Sequence, residues 1–583
     1  MNKENLTAYE VVTEENLTDI HSTGWLLRHK KTGARVMLIE NDDENKVFNI
    51  AFRTPPKDST GVAHILEHSV LCGSREFPLK DPFVELVKGS LNTFLNAMTY
   101  PDKTCYPVAS CNDKDFQNLM HVYLDAVFYP NIYKREEIFR QEGWNYHLEQ
   151  KEGPLKYNGV VYNEMKGAFS SPDEVLEREI MNHLFPDTTY GCESGGDPKN
   201  IPDLTYENFL NFHRTYYHPS NSYIYLYGNM DMEEKLAFLD EHYLSHFDYL
   251  DVDSVIQEQK AFGACRDVTL EYPVAENEGE EDNTYLSYNM VVGNAADSQM
   301  AMAFEVLDYA LLSAPGAPLK QALLDVKAGK DVYGSYDDGI LQPYFTVIAK
   351  GSNPDRKEEF VSVIRQVLGD IVKNGIDKKA VEAGINYFEF RYREADFSSY
   401  PKGLMYSLDI LGDWLYEKGN PFAQVQQLTV FEKLKKAVNE GYFEELIRKY
   451  LLENPHGCIM TLVPKKGLAA QREKELEEKL EAYRSSLSEE QLDAMVEKTK
   501  ALEAYQEAGE DPKALECIPM LKRSDIKKEA AKIVNEELTV DNSLFLYHDV
   551  CTNGIGYVDL MFKTDSIAPE QIPYLGLLKS VLG

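Results

Sequence analysis

One strand–loop–helix pattern occurs three times in this chain, and a fold built on a single core cannot accommodate that. Residues 45–74, NKVFNIAFRTPPKDSTGVAHILEHSVLCGS, lead from an apolar strand through a polar loop into a helix-patterned stretch. Residues 284–315, TYLSYNMVVGNAADSQMAMAFEVLDYALLSAP, repeat the arrangement. Ile65-Leu66-Glu67-His68 then falls on Val306-Leu307-Asp308-Tyr309, an offset of 241 (306 − 65), with Glu305, Asp308 and Tyr309 at the positions of His64, Glu67 and His68. A third copy opens at residue 555, IGYVDLMFKTDSIAPEQIPYLGLLKSVLG, where Leu575, Leu578 and Lys579 take those positions. At 583 residues the chain is too long for one core, so about three domains of ordinary size are expected. Alternating strand and helix patterns place them in the α+β class, each a mainly antiparallel sheet with helices packed on one face.

Only the first copy carries H-x-x-E-H, as His64, Glu67 and His68. On a helix, positions 64 and 68 lie one turn apart on the same face, so two imidazole nitrogens converge on one metal ion. Glu67, displaced slightly around that face, reaches a water on the metal without being a ligand. Zinc with two histidines, a third protein ligand and an open position brings the pKa of its bound water towards neutrality. A nearby carboxylate then accepts that proton and delivers it to a leaving amine. The order reverses H-E-x-x-H and is that of the inverzincin peptidases. The competing reading is a solvated surface helix. Ala63, Ile65, Leu66, Val70 and Leu71 make the stretch too apolar for that, and two imidazoles with a carboxylate are costly to bury without a metal or partners.

Spacing alone does not say which residue completes the site. His121, Glu136, Glu137, Glu142, His147, Glu164 and His183 are all chemically able. The segments FRTPPKDSTGVAHILEHSVLCGSREFPLKDPF, SLNTFLNAMTYPDKTCYPVAS, GVVYNEMKGAFSSP and ESGGDPKNIPDLTYENFLNFHRTYYHPSNSYIYLYGN resemble the pitrilysin/insulinase family of zinc peptidases, and within it the presequence-protease subfamily. The resemblance spans essentially the whole chain. It implies one zinc ion held by His64, His68 and Glu164, the Glu of NEMKG, with Glu67 as general base. Glu164 lies 100 residues after His64 (164 − 64), so tertiary folding must bring it in. Elsewhere in the family a second acidic residue lies two helical turns before this ligand; here that position is Tyr157.

The resemblance further implies a catalytic zinc-binding domain at 1–255, a homologous non-catalytic domain at 256–465, a helical hairpin linker at 466–530, and the truncated start of a third homologous domain at 531–583. Substrates would be short unfolded peptides that add to an edge strand beside the metal, best placed at Asn96, Ala97, Met98 and Thr99. Its oxyanion donors come from a fourth domain, so the missing C-terminal half of the enzyme is the expected partner, and residues 1–583 alone are expected to be weakly active or inactive. The alternative is a non-catalytic peptide-binding member of the same fold; the presence of His64, Glu67, His68 and Glu164 together favours the enzyme.

Composition narrows the rest. A formal charge of −36 opposes nucleic-acid binding, because phosphates would be repelled and no basic stripe appears. No apolar run approaches a membrane span, and the start, MNKENLTAYEVVTEEN, has neither signal nor transit character, so a cytoplasmic location is expected. The eight cysteines are scattered without paired spacing, as in a reduced protein, and Cys72 reads as a packing residue. The glycines of Gly191-Cys192-Glu193-Ser194-Gly195-Gly196 read as a surface loop. KKGLAAQREKELEEKLEAYRSSLSEEQLDAMVEKTKALEAYQE predicts two helices broken at SSLS.

Overall fold

Eight strands, interrupted by a small separate hairpin, make the first sheet of this computed structural model, which describes residues 1–530 and 532–582. The strands are β1 (Tyr9–Leu17), β2 (Ser22–His29), β3 (Arg35–Glu40), β4 (Lys46–Arg53), β5 (Asn92–Leu95), β6 (Met98–Thr99), β7 (Lys103–Ser110) and, after the hairpin β8 (Asn145–His147) and β9 (Lys156–Asn158), β10 (Ser222–Gly228). Their order is β1-β2-β3-β10-β4-β7-β5, with β6 also on β7. The second sheet contains β11 (Arg266–Val274), β12 (Thr284–Val291), β13 (Asp331–Asp337), β14 (Tyr344–Ser352) and β15 (Gly457–Lys466), ordered β11-β15-β12-β14-β13.

Set β1 and β2 aside and the two sheets have one topology. β3 pairs parallel with β10, as β11 does with β15, and every other neighbour in both is antiparallel. The repeat read in the sequence is therefore one α+β fold used twice. The α+β class holds, with one addition. Each sheet buries its first face under its own helices: Phe48, Ile50 and Phe52 meet Ile65, Leu66 and Leu119, while Leu286, Tyr288 and Phe345 meet Phe304, Leu307 and Ile364. The second face is covered by a helix from the other repeat. Helix Lys402–Trp414 lays Leu404, Ile410, Leu411 and Trp414 on Met37, Tyr223, Tyr225 and Tyr227 of the first sheet. Helix Pro172–Leu184 lays Leu176, Ile180 and Leu184 on Tyr285, Met460 and Leu462 of the second. A Cβ at Gly403 would stand 2.1 Å from Cδ1 of Tyr227, so that crossing needs glycine. β4 consequently alternates between two cores instead of between core and water, and all its residues are buried.

The stretch before Asn41 holds three strands. Helix Glu136–Glu142 ends where Gly143 turns the chain into β8. Helices Leu468–Ser486 and Glu489–Glu507 follow one another, the second started by a reciprocal Ser488–Gln491 cap. Leu480 and Val496 pack on Leu148 and Leu155, beside Tyr146 and Tyr157 of the β8–β9 hairpin. These elements form one unit, Met1–Ala530. Residues 531–583 are a second, in which Glu536–Val540 pairs with Ser543–Tyr547 and a helix runs from Ile572 to Leu582. The strand expected near 555–564, where the third copy opens, is not formed there.

Candidate metal centre

Helix Val62–Val70 buries Ile65, Leu66 and Val70 in the first core, which turns His64 and His68 to its open side. The two rings meet edge to face, centroids 5.0 Å apart. Helix Val160–Ala168 brings Glu164 opposite them, and its Oε2 lies 3.8 Å from Nε2 of both histidines. Among the described residues, His64, His68 and Glu164 are the one group of three or more such side chains whose ligand atoms converge, all within 4.8 Å of one another.

Both rings are oriented from behind. His64 donates from Nδ1 to the Gly195 carbonyl at 3.1 Å, and Nδ1 of His68 lies 3.3 Å from Oε2 of Glu142. With the proton on Nδ1 in each ring, both Nε2 lone pairs face Glu164. Two imidazole nitrogens and a carboxylate oxygen form a donor set suited to zinc, so the residues fit that metal.

Electrostatics agree with this pairing. Burial acts to raise the Glu142 carboxyl, but hydrogen bonds from His68 and Gln141 outweigh it and hold the group below the usual carboxylate range. Burial acts to lower the His68 pKa, yet the Glu142 hydrogen bond and the charges of Glu67, Glu142 and Glu164 raise it. Burial, reinforced by Glu142, pushes the Cys72 thiol well up, so this neighbour is a neutral packing group.

The sequence matches the insulinase family (peptidase family M16) over residues 52–190, the peptidase M16 inactive domain over 203–388 and, over 462–583, the region associated with subfamily C of the same peptidases. The chain is 51% identical to Protein HypA of Clostridium perfringens over 99% of its own length, and 41% identical to Presequence protease 1, chloroplastic/mitochondrial, of Arabidopsis thaliana over 98%. The chain belongs to the insulinase family, M16. It spans 59% and 53% of the length of those two relatives. The crystal structure of pitrilysin shares the M16 fold at a TM-score of 0.56 and 16% identity, over 79% of this chain and 47% of that one. A protease from Helicobacter pylori does so at 0.57 and 17%, over 78% and 99%.

Within this M16 fold the other sequence candidates lie elsewhere. His121 pairs with Glu76 at 3.1 Å, His147 with Glu149 at 3.5 Å, and His183 bonds the Glu179 carbonyl at 2.8 Å. Glu136 and Glu137 open the helix that Glu142 closes. Glu67 sits half-buried on the histidine helix, and that helix packs beside β6, which holds Met98 and Thr99. β5 and β6 pair only with β7, so their outer edge is unpaired among the described residues. Asn96 is exposed, but its backbone is engaged inward: its N–H donates to Pro107 and its carbonyl accepts from the Tyr123 hydroxyl at 3.2 Å. No helix among the described residues is long and apolar enough to cross a membrane.

Sequence reasoning missed the residues behind the histidines. Glu142 appeared only as a candidate ligand, and the Gly191–Gly196 run only as a surface loop. Gly61, in the left-handed region at φ 68°, lets that loop close on the histidine helix; a Cβ there would meet the Gly195 oxygen at 2.6 Å. A glycine run facing a glycine before a helix was the available signal.

Proposed function

We propose that the chain carries the active centre of a zinc-dependent endopeptidase that degrades short unfolded peptides, with one zinc ion held by His64, His68 and Glu164. The observation that carries this reading is the approach of two Nε2 atoms to one Glu164 oxygen, each at 3.8 Å, with both Nδ1 atoms engaged elsewhere. Zinc bound there would polarise a scissile carbonyl and acidify a water. Glu67, one residue from His68 on the same helix, takes the proton of the attacking water and passes it to the leaving nitrogen. The peptide pairs with the free edge at Met98 and Thr99, beside Ala97, which aligns its backbone beside the histidine helix; Asn96, whose backbone is turned inward, takes no part. The relatives' greater length supports placing the oxyanion donors in a C-terminal half that completes the enzyme.

The test compares wild type with Glu67→Gln, both as residues 1–583 and joined to the further half that the relatives carry. Zinc content should be unchanged by the substitution, and hydrolysis of an unfolded peptide by the joined protein should fall at least ~10²-fold. Residues 1–583 alone should be slower still than the joined wild type, by ~10²–10³ for each oxyanion donor absent. Stoichiometric loss of zinc in Glu67→Gln would make Glu67 a ligand. Hydrolysis undetectable in either wild-type form, with peptide still bound, would replace the enzyme by a peptide-binding member of the fold.

A further inference from the structure

We infer that Glu142 and the Arg178–Glu193 pair are positioning residues for the metal site, each fixing one histidine from behind. On the His68 side the orienting group is a carboxylate. Glu142 is 8% exposed, accepts from Gln141 at 2.7 Å through Oε1, and faces the His68 ring through Oε2. Tyr157 stands where the family resemblance suggests a second acid; Glu142 supplies one from a different helix. Its place relative to Glu164 is fixed as well. A Cβ on Gly159, which precedes the Glu164 helix, would lie 2.2 Å from the Gly143 carbonyl, and that same carbonyl accepts from the Tyr162 N–H at 3.3 Å. The end of one helix is thus clamped to the start of the other.

On the His64 side the orienting group is a neutral carbonyl held by charges. Glu193 Oε1 accepts from the Gly195 N–H at 3.0 Å, and its Oε2 pairs with Arg178 Nε at 2.9 Å. The Glu193 N–H donates to Ser59 at 3.1 Å, tying the loop to the approach of the histidine helix. Burial pushes the Glu193 carboxyl up, and the Arg178 charge offsets part of that rise at the hinge of this loop. A carboxylate behind a metal-bound imidazole raises its basicity as well as fixing its plane; a carbonyl mainly fixes the plane. Glu142 should therefore matter more than Glu193.

This inference rests on the proposed zinc site, and the experiment separates the two. Zinc affinity of the metal-free protein is measured by competition with a chelator of known affinity, for wild type, Glu142→Ala, Glu142→Gln and Glu193→Gln. Glu142→Ala should weaken zinc 10–100-fold. Glu142→Gln, which keeps an acceptor without the charge, should fall between Ala and wild type, and Glu193→Gln should show the smallest loss. Thermal unfolding of the metal-free Gln variants should match wild type, and the visible spectrum of the cobalt-substituted site should shift in the Glu142 variants, which a purely structural role would not cause. Wild-type zinc affinity and cobalt spectrum in both Glu142 variants would overturn the inference alone. Absence of zinc binding by wild type would overturn the site and the inference together. If Glu142→Ala does not fold, the Gln variant decides.

Discussion

In the first repeat His68 turns Nε2 towards Glu164, whereas Tyr309, at the same position of the second, stacks on Tyr387 at 5.3 Å and 16°. Tyr387 belongs to helix Lys378–Glu394, which packs on helix Ser298–Asp308. The other two positions diverge in the same direction. Glu305, in place of His64, has its carboxyl pushed up to about 8 by burial, helped by Asp338 and Asp308 against Arg391. Asp308, in place of Glu67, is raised by burial and accepts from Ser313 at 3.0 Å. The helix starts differ too: the first begins at Val62 after left-handed Gly61, while Met302, the counterpart of Gly61, lies inside a helix begun at Ser298. One repeat brings ligand-type side chains together; the other holds a stacked ring and two carboxyls pushed up by burial at the same positions.

The largest expected effect writes the second repeat into the first. His64→Glu with His68→Tyr should take zinc from stoichiometric to background by elemental analysis, and zinc retained at wild-type level would break the comparison. Next comes Glu305→Gln. A folded pKa of about 8 against an ordinary 4.5 means that the contribution of Glu305 to stability is fully present below pH 4.5 and is lost as pH rises through 8. The variant should therefore gain on wild type across that window, by up to a few kcal/mol at ~1.4 kcal/mol per pH unit, read from denaturant unfolding at several pH values. A difference independent of pH would show that Glu305 titrates normally. Gly61→Ala places a side chain at φ 68° and 2.6 Å from the Gly195 oxygen, so about 1–3 kcal/mol of stability should go, with weaker zinc binding. Unchanged unfolding would mean the loop yields freely. The smallest effect is Tyr309→Phe, within about 0.5 kcal/mol, because the ring makes the contact; His68→Phe at the matching position should abolish zinc.

The histidine helix was legible because its information is local: two histidines four apart with apolar flanks. The duplicated fold was legible for a related reason, since strand, loop and helix recur in one order with one period. Glu164 was reachable only through family resemblance, because no spacing rule links residues 100 apart in sequence (164 − 64). Glu142 stood as one of seven possible ligands, and the turn at Gly143 that makes it a helix-end residue is fixed by contact with Gly159, which no local pattern shows. The loop carrying Gly195 looked like exposed punctuation because close backbone approach leaves no apolar pattern. The second core behind KVFNIAFRT was not legible, because alternation between two cores and alternation between core and water read alike in sequence.

The exchange of helices between repeats bears on how such a chain could arise and persist. Leu404, Ile410, Leu411 and Trp414 each contribute roughly 1.5–3 kcal/mol by leaving water, and they do so on the back of the sheet whose other face packs the histidine helix. The second repeat thereby serves as the back wall of the first. Deleting it would strand a tyrosine-lined sheet face in solvent, and mutations that unfold it would reach the histidines without touching them. A side chain at Gly403 would press on Tyr227, so damage in the second repeat is handed directly to the first.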